Sequence, residues 1–172
     1  MPKKYPKESW ISPKVELRSS PIQGRGMFAK EHIKAGEVVV VWGGEYVTKN
    51  ELETRKLLPN TLIIQLDDDL YSIEQRGDDP TYYMNHSCDP NAWMKDAITF
   101  IARRDIKPGE EITADYAMWE GGDYVSKWTC ECGSQLCRKK ITGQDWKLPE
   151  LQERYKDHFS PLINKRIKKL KQ

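Results

Sequence analysis

Apolar and polar residues alternate in short runs through the first two-thirds of the chain, and Gly or Pro punctuates each run. A period of two marks half-buried strands. Residues 15–29, VELRSSPIQGRGMFA, read as strand, Pro-Ile-Gln-Gly turn, strand. IKAGEVVVVW, residues 33–42, adds a turn and a buried β-branched run. TKNELETRKLL breaks the pattern: Thr48 and Glu51 stand at capping-box spacing and Pro59 lies beyond the end, which predicts a helix. LIIQL and LYSI flank Asp67, Asp68 and Asp69 as a hairpin, and AITFIARRDIKPGEEITADY repeats strand, Lys-Pro-Gly turn, strand. Residues 119–128, WEGGDYVSKW, read as a loop. The end differs. LPELQERYKDHF has Pro149 at a first helical turn with Leu151, Tyr155 and Phe159 four apart, and SPLINKRIKKL sets Ile163, Ile167 and Leu170 on one face. The pattern predicts a mainly β body with flanking helices and a C-terminal helical pair packed on it, not a parallel α/β sheet.

Length and charge sharpen this. With 172 residues the chain is one domain with appendages, long enough to bury a core. No apolar stretch reaches membrane-spanning length, and MPKKYPKESW lacks a signal's apolar core, so we expect a soluble chain in a reducing compartment, cytoplasmic or, in a eukaryote, nuclear. The net charge of +2 is uneven: residues 1–14 carry +3, the tail from Ser160 carries +5, and the body between them −6. An acidic body suits a cationic partner rather than nucleic acid, and the basic tail lacks interleaved aromatics.

Cysteine placement adds chemistry. Cys130, Cys132 and Cys137 form CECGSQLC, and Cys88 is the only other thiol. Cysteines one residue apart pair poorly with each other, whereas clustered thiolates suit tetrahedral zinc with four N or S ligands. Cys88 would complete a four-thiolate site using every cysteine present, with His86, His32 and His158 as competing ligands.

GRGMFA at 24–29, AGEVV at 35–39, WGGE at 42–45, NHSCDPN at 85–91, KPGEEITADY at 107–116 and CECGSQLC at 130–137 together resemble the SET-domain family of protein lysine methyltransferases, in the family's order. NHSC-x-PN and GEE-x-T-x-DY are the specific part. The resemblance covers roughly residues 14–143 and implies a free-standing SET fold: small, mostly antiparallel sheets around a knot-like crossing. It divides the chain into a basic arm (1–13), a SET domain (14–118), a post-SET zinc segment (119–143) and a C-terminal helical extension (144–172).

The resemblance implies S-adenosylmethionine as methyl donor, structural zinc, and a lysine-containing protein or peptide as substrate, and the acidic body suits one of basic character. It makes Tyr116 the catalytic residue, whose hydroxyl orients the amine. It places Gly24, Arg25, Gly26 and Met27 at the methionine end of the cofactor, Asn85 and the His86 backbone against it, and Tyr83 and Trp128 as aromatic walls. Cys88 completes the metal site with Cys130, Cys132 and Cys137. Two positions depart from the family: Trp42 stands where tyrosine is usual in the substrate channel, and Ala114 where Phe or Tyr tunes the number of methyls. Alanine leaves room for di- or trimethylation if Trp42 does not refill it. Asp67 to Asp69 or Asp78 and Asp79 would line the substrate's path. The reading from another class is a zinc-stapled binding module that keeps the fold without turnover.

Overall fold

The alternating stretches fold as strands in the computed structural model, which describes residues 5–59, 61–75 and 79–172. The strands are β1 (Trp10–Ile11), β2 (Val15–Ser19), β3 (Arg25–Ala29), β4 (Val38–Val41), β5 (Glu45–Val47), β6 (Thr61–Asp67), β7 (Leu70–Gln75), β8 (Asn85–His86), β9 (Ala92–Met94), β10 (Thr99–Ala102) and β11 (Glu111–Ala114). The α-helices are α1 (Lys49–Thr54), α2 (Pro149–Arg154) and α3 (Pro161–Leu170). Among the described residues three small sheets form, ordered β1-β4-β10-β9, β2-β3-β11-β8 and β5-β7-β6. The molecule is mainly β with flanking helices. No helix among the described residues is long and apolar enough to cross a membrane.

The valine run sits in β4 between β1 and β10, and Val39 and Val40 are fully buried there. The 15–29 hairpin closes in register, Val15 opposite Ala29 and Ser19 opposite Arg25. β11 joins β3 antiparallel and β8 in parallel, the latter with Thr113 opposite Asn85 and Ala114 opposite His86. Beyond β8 the chain crosses beside β11 rather than turning back. Asn91 straddles that strand, its Nδ2 donating to the Glu111 carbonyl at 2.8 Å and its Oδ1 accepting from the Thr113 N–H at 3.0 Å. One side chain thus replaces ladder bonds that the crossing would leave unmade.

The first two helices are shorter than their sequence patterns predict. α1 has the capping box of Thr48 and Glu51 but stops at Arg55, and Leu57 and Leu58 lie exposed. It buries no side chain and is held by local propensity, the Lys49 N–H bond to Asp69 and the Arg55–Glu45 pair, and Pro59 biases the preceding residue toward an extended conformation. α2 ends at Arg154, before Tyr155 and Phe159, which are nevertheless buried. α3 starts at the Ser160 cap, whose hydroxyl accepts from the Ile163 N–H, and buries Leu162, Ile163 and Ile167. Leu170 is 57% exposed in the last turn rather than sharing that face. The C-terminal segment does pack on the β body: Arg166 donates to Gln65 of β6 at 2.9 Å, and Lys165 pairs with Asp67 and Asp68 at the β6–β7 turn.

Candidate functional site

Tyr116 follows β11 directly. Asp115 caps the single helical turn there by accepting from the Ala117 N–H, which fixes where the Tyr116 ring emerges. The Tyr116 hydroxyl donates to the Met84 carbonyl at 3.1 Å, and its N–H donates to His86 Nδ1 at 3.3 Å. Burial holds His86 down to about 4, so the ring is neutral near pH 7. With Nδ1 accepting, Nε2 carries the proton and faces Cys88 Sγ at 3.3 Å. The His86 ring meets Tyr116 edge-on at 5.0 Å and lies 5.9 Å from Trp128.

Two cavities share Tyr116 and Trp128 as walls. The first, about 240 Å³, is also lined by Ile22, Gln23, Asn85, His86 and Thr129. The second, about 370 Å³, is walled by Trp42, Trp119 and Tyr124 with Glu74 and Glu120. Trp42 packs edge-on against Phe100 at 4.6 Å and Trp119 at 5.2 Å. Burial raises Glu120 to about 7, and burial with the neighbouring Asp79 raises Glu74 to about 8. Aromatic walls and two acidic groups suit a cationic side chain.

The four cysteines converge. Their sulfur atoms all lie within 4.8 Å of one another, and Cys88 Sγ is 4.0 Å from Cys130 Sγ. A tetrahedral ion with metal–sulfur bonds of about 2.3 Å has edges of about 3.8 Å, so the set fits. No disulfide competes among them. Burial pushes Cys88 up to about 11, so its thiolate form requires a cation beside it. His86 stands next to this set through its bond to Cys88. His32 pairs with Asp105, and His158 lies on the Met94 carbonyl.

Asp115, fully buried, receives both terminal nitrogens of Arg138 at 2.7 Å and the Tyr155 hydroxyl at 3.0 Å. Arg138 Nε also bonds Asp145 at 2.9 Å, and its backbone N–H donates to Cys88 Sγ. Arg154 reaches the Cys88 carbonyl at 3.0 Å. These contacts tie the cysteine cluster, the strand leading to Tyr116 and the C-terminal segment to one another.

The structure therefore brings Tyr116, Asn85, His86 and Trp128 around the first cavity and places Trp42 at the second. Other candidates lie elsewhere. Ala114 is fully buried in the core and is not among the residues lining either cavity. Of the turn at 24–27, Gly24 supplies a left-handed φ of +52°, Arg25 covers the Tyr83 ring at 4.9 Å, and Met27 is fully buried. Ile22 and Gln23, just before that turn, reach the cavity instead. The aspartates have structural partners: Asp67 and Asp68 pair with Lys165, Asp69 accepts from the Lys49 N–H, and Asp79 caps the turn at Pro80–Tyr83. Asp78 lies outside the described residues. Sequence reasoning missed Asp115, Arg138, Glu111 and Glu120. Asp115 and Arg138 do adjoin Tyr116 and Cys137, but nothing in their spacing announces that they meet.

A family described as "SET domain" matches residues 24–117, more than half of the chain. The chain is 31% identical over 139 residues to the histone-lysine N-methyltransferase trithorax of Drosophila virilis, covering 74% of this chain and 4% of that one. It is 30% identical over 141 residues to the histone-lysine N-methyltransferase ASHH3 of Arabidopsis thaliana, covering 74% and 38% respectively. It is likewise 30% identical over 138 residues to the histone-lysine N-methyltransferase, H3 lysine-4 specific, of Mycosarcoma maydis, covering 73% and 9%. It thus spans well under half of each of these relatives. The matched segment holds β8, β11 and Tyr116, and the chain belongs to the SET domain family.

Proposed function

We propose that the protein is an S-adenosylmethionine-dependent protein lysine N-methyltransferase. The observation that carries this is the position of Tyr116, in the wall common to the Asn85–His86 cavity and the aromatic, acid-lined one. The first cavity, with a polar rim and aromatic walls, would take the donor, which supplies a methyl activated on a sulfonium. The second receives the lysine side chain.

The protein's task is then positioning and desolvation. Lysine titrates near 10.4, so a neutral amine at pH 7 costs roughly 4.6 kcal/mol. Trp42, Trp119 and Trp128 exclude water and disfavour the ammonium charge relative to bulk solvent. Glu120, about half ionised near pH 7, draws the cationic side chain in, while Glu74, raised to about 8 and mostly protonated there, offers a hydrogen bond rather than a fixed charge. The Tyr116 hydroxyl, fixed by the Met84 carbonyl, offers its oxygen to the amine and aligns it for in-line transfer. We assign zinc to Cys88, Cys130, Cys132 and Cys137. That ion has no step in the reaction; it closes the segment carrying Trp128 and Thr129 over the first cavity. The relatives' names make histone peptides the first substrates to test.

Tritiated-methyl transfer to a protein mixture tests the assignment. Tyr116→Phe is expected to lower kcat by about a hundredfold or more, the scale of losing one oriented group in a transition state, while the donor still binds. Equal incorporation by wild type and variant would remove Tyr116 from the chemistry. Binding without transfer in wild type would favour the non-catalytic module instead.

A further inference from the structure

Asn85 lines the first cavity, and the atoms behind its amide decide which way it faces. Four groups lie within hydrogen-bonding distance of Nδ2: Glu111 Oε1 at 2.7 Å, the Arg25 carbonyl at 3.0 Å, Ser20 Oγ at 3.1 Å and the Gln23 carbonyl at 3.2 Å. Two are backbone carbonyls and one is a carboxylate, none of which can donate. The fourth, the Ser20 hydroxyl, spends its proton on Glu111 at 2.8 Å, so it too accepts. A flipped amide would set its oxygen against four acceptors. The nitrogen must face inward, and Oδ1 lies on the opposite edge, without a protein partner among the described residues.

Gly26 makes room for this arrangement. A Cβ at position 26 would lie 2.1 Å from Glu111 Oε1 and 2.7 Å from its Cδ. Gly26 has no left-handed φ, so space rather than backbone freedom requires the glycine. The carboxylate of Glu111, the hydroxyl of Ser20 and the missing side chain at 26 form one device with Asn85 as its output.

We infer that Glu111 is a positioning residue of the donor site: it locks the Asn85 amide so that Oδ1 accepts from the ammonium of the donor's amino-acid end. This rests on the function proposed above.

Calorimetric titration of the metal-loaded protein tests it with two probes: S-adenosylhomocysteine, which carries the ammonium, and 5′-methylthioadenosine, which lacks the amino-acid end. Glu111→Ala and Gly26→Ala are expected to weaken S-adenosylhomocysteine by about tenfold or more, the scale of one charge-assisted hydrogen bond, and to leave methylthioadenosine within about twofold. Glu111→Gln keeps an acceptor for Asn85, and Ser20 can rotate, so it should retain most of the affinity. If Glu111→Ala does not fold, Ser20→Ala replaces it, with a smaller loss of the same selectivity. Parallel weakening of both probes by the folded variants, or a loss as large in Glu111→Gln, would reduce Glu111 to a strut and overturn the inference. Wild type binding neither probe would instead sink the functional proposal on which it stands.

Discussion

Glu120 holds its carboxyl beside Trp119, in the wall between the second cavity and a smaller one against α3, and burial lifts it from 4.5 to about 7. Folding therefore favours the protonated form. Its stabilising contribution is complete below pH 4.5 and is lost as pH rises through 7, because between those values the folded state keeps a proton that the unfolded state has released. The shift corresponds to about 3 kcal/mol at most. Glu120→Gln should thus be more stable than wild type at pH 8 by up to that amount and nearly equal to it at pH 4, as read by urea unfolding at both values. A wild type equally stable relative to the variant at both pH values would contradict the burial argument. Legibility at this scale depends on whether chemistry or environment makes a residue special. Tyr116, Asn85 and the cysteines were readable because their types and order carry a pattern. Glu120 and Glu111 were not, because each is defined by neighbours from distant segments. Ala114 shows the same limit. Its small size invites a reading as channel volume, while its burial in β11 opposite His86 is set by the fold.

Elements were legible in proportion to how much of their stability is local. The 15–29 hairpin and the Thr48–Glu51 cap follow from turn chemistry and capping, and both appear as the pattern predicts. The β8–β11 pair does not follow from local pattern: β8 has two residues, too few for a period, and the pairing exists because Asn91 and Ser87 satisfy β11 from across the crossing. α2 ends early for a related reason. Tyr155 leaves the helix to reach Asp115, and Asp157 takes a φ of +66° in the turn that follows. What joins these elements is the Arg138 guanidinium between Asp115 and Asp145. Removing one partner of a buried ionic set leaves uncompensated charge, which costs about 3–5 kcal/mol. Arg138→Met should lose stability on that scale in metal-loaded protein. Adding Asp115→Asn and Asp145→Asn should restore much of it, since the charge penalty then vanishes. A triple variant no more stable than Arg138→Met alone would locate the cost in packing instead.

Across the whole molecule, the cysteine cluster, the first cavity and the C-terminal segment are mechanically continuous. Cys88 sits two residues past His86 on the crossing, while Cys130 follows directly on Trp128 and Thr129 of the cavity wall. Arg154 and Tyr155 brace the Cys88 carbonyl from the other side. Among the described residues the 119–143 segment forms no regular strand or α-helix; besides the cysteines it is held by the Arg138 ion pairs, the Trp119 ring on Trp42, the Val125–Thr142 bridge and a few backbone bonds such as Ser126 to Ile141. The four cysteines gather its middle, and structural zinc binding there, about 10–16 kcal/mol, would outweigh any one of these other ties. The β sheets carry their own apolar core, with Val39, Val40, Phe100, Ile106 and Ile112 fully buried, and do not depend on the cysteines in the same way. Chelation should therefore act in two stages. At moderate chelator the 119–143 segment becomes the first site of proteolysis and S-adenosylhomocysteine affinity falls by about tenfold or more, because Trp128 and Thr129 leave the cavity. The β-sheet signal in circular dichroism persists through that stage and is lost only on heating, at a lower midpoint than in the loaded protein. Donor-probe affinity and sheet signal disappearing together, with no intermediate cut in 119–143, would mean instead that the cluster is part of the folding core itself.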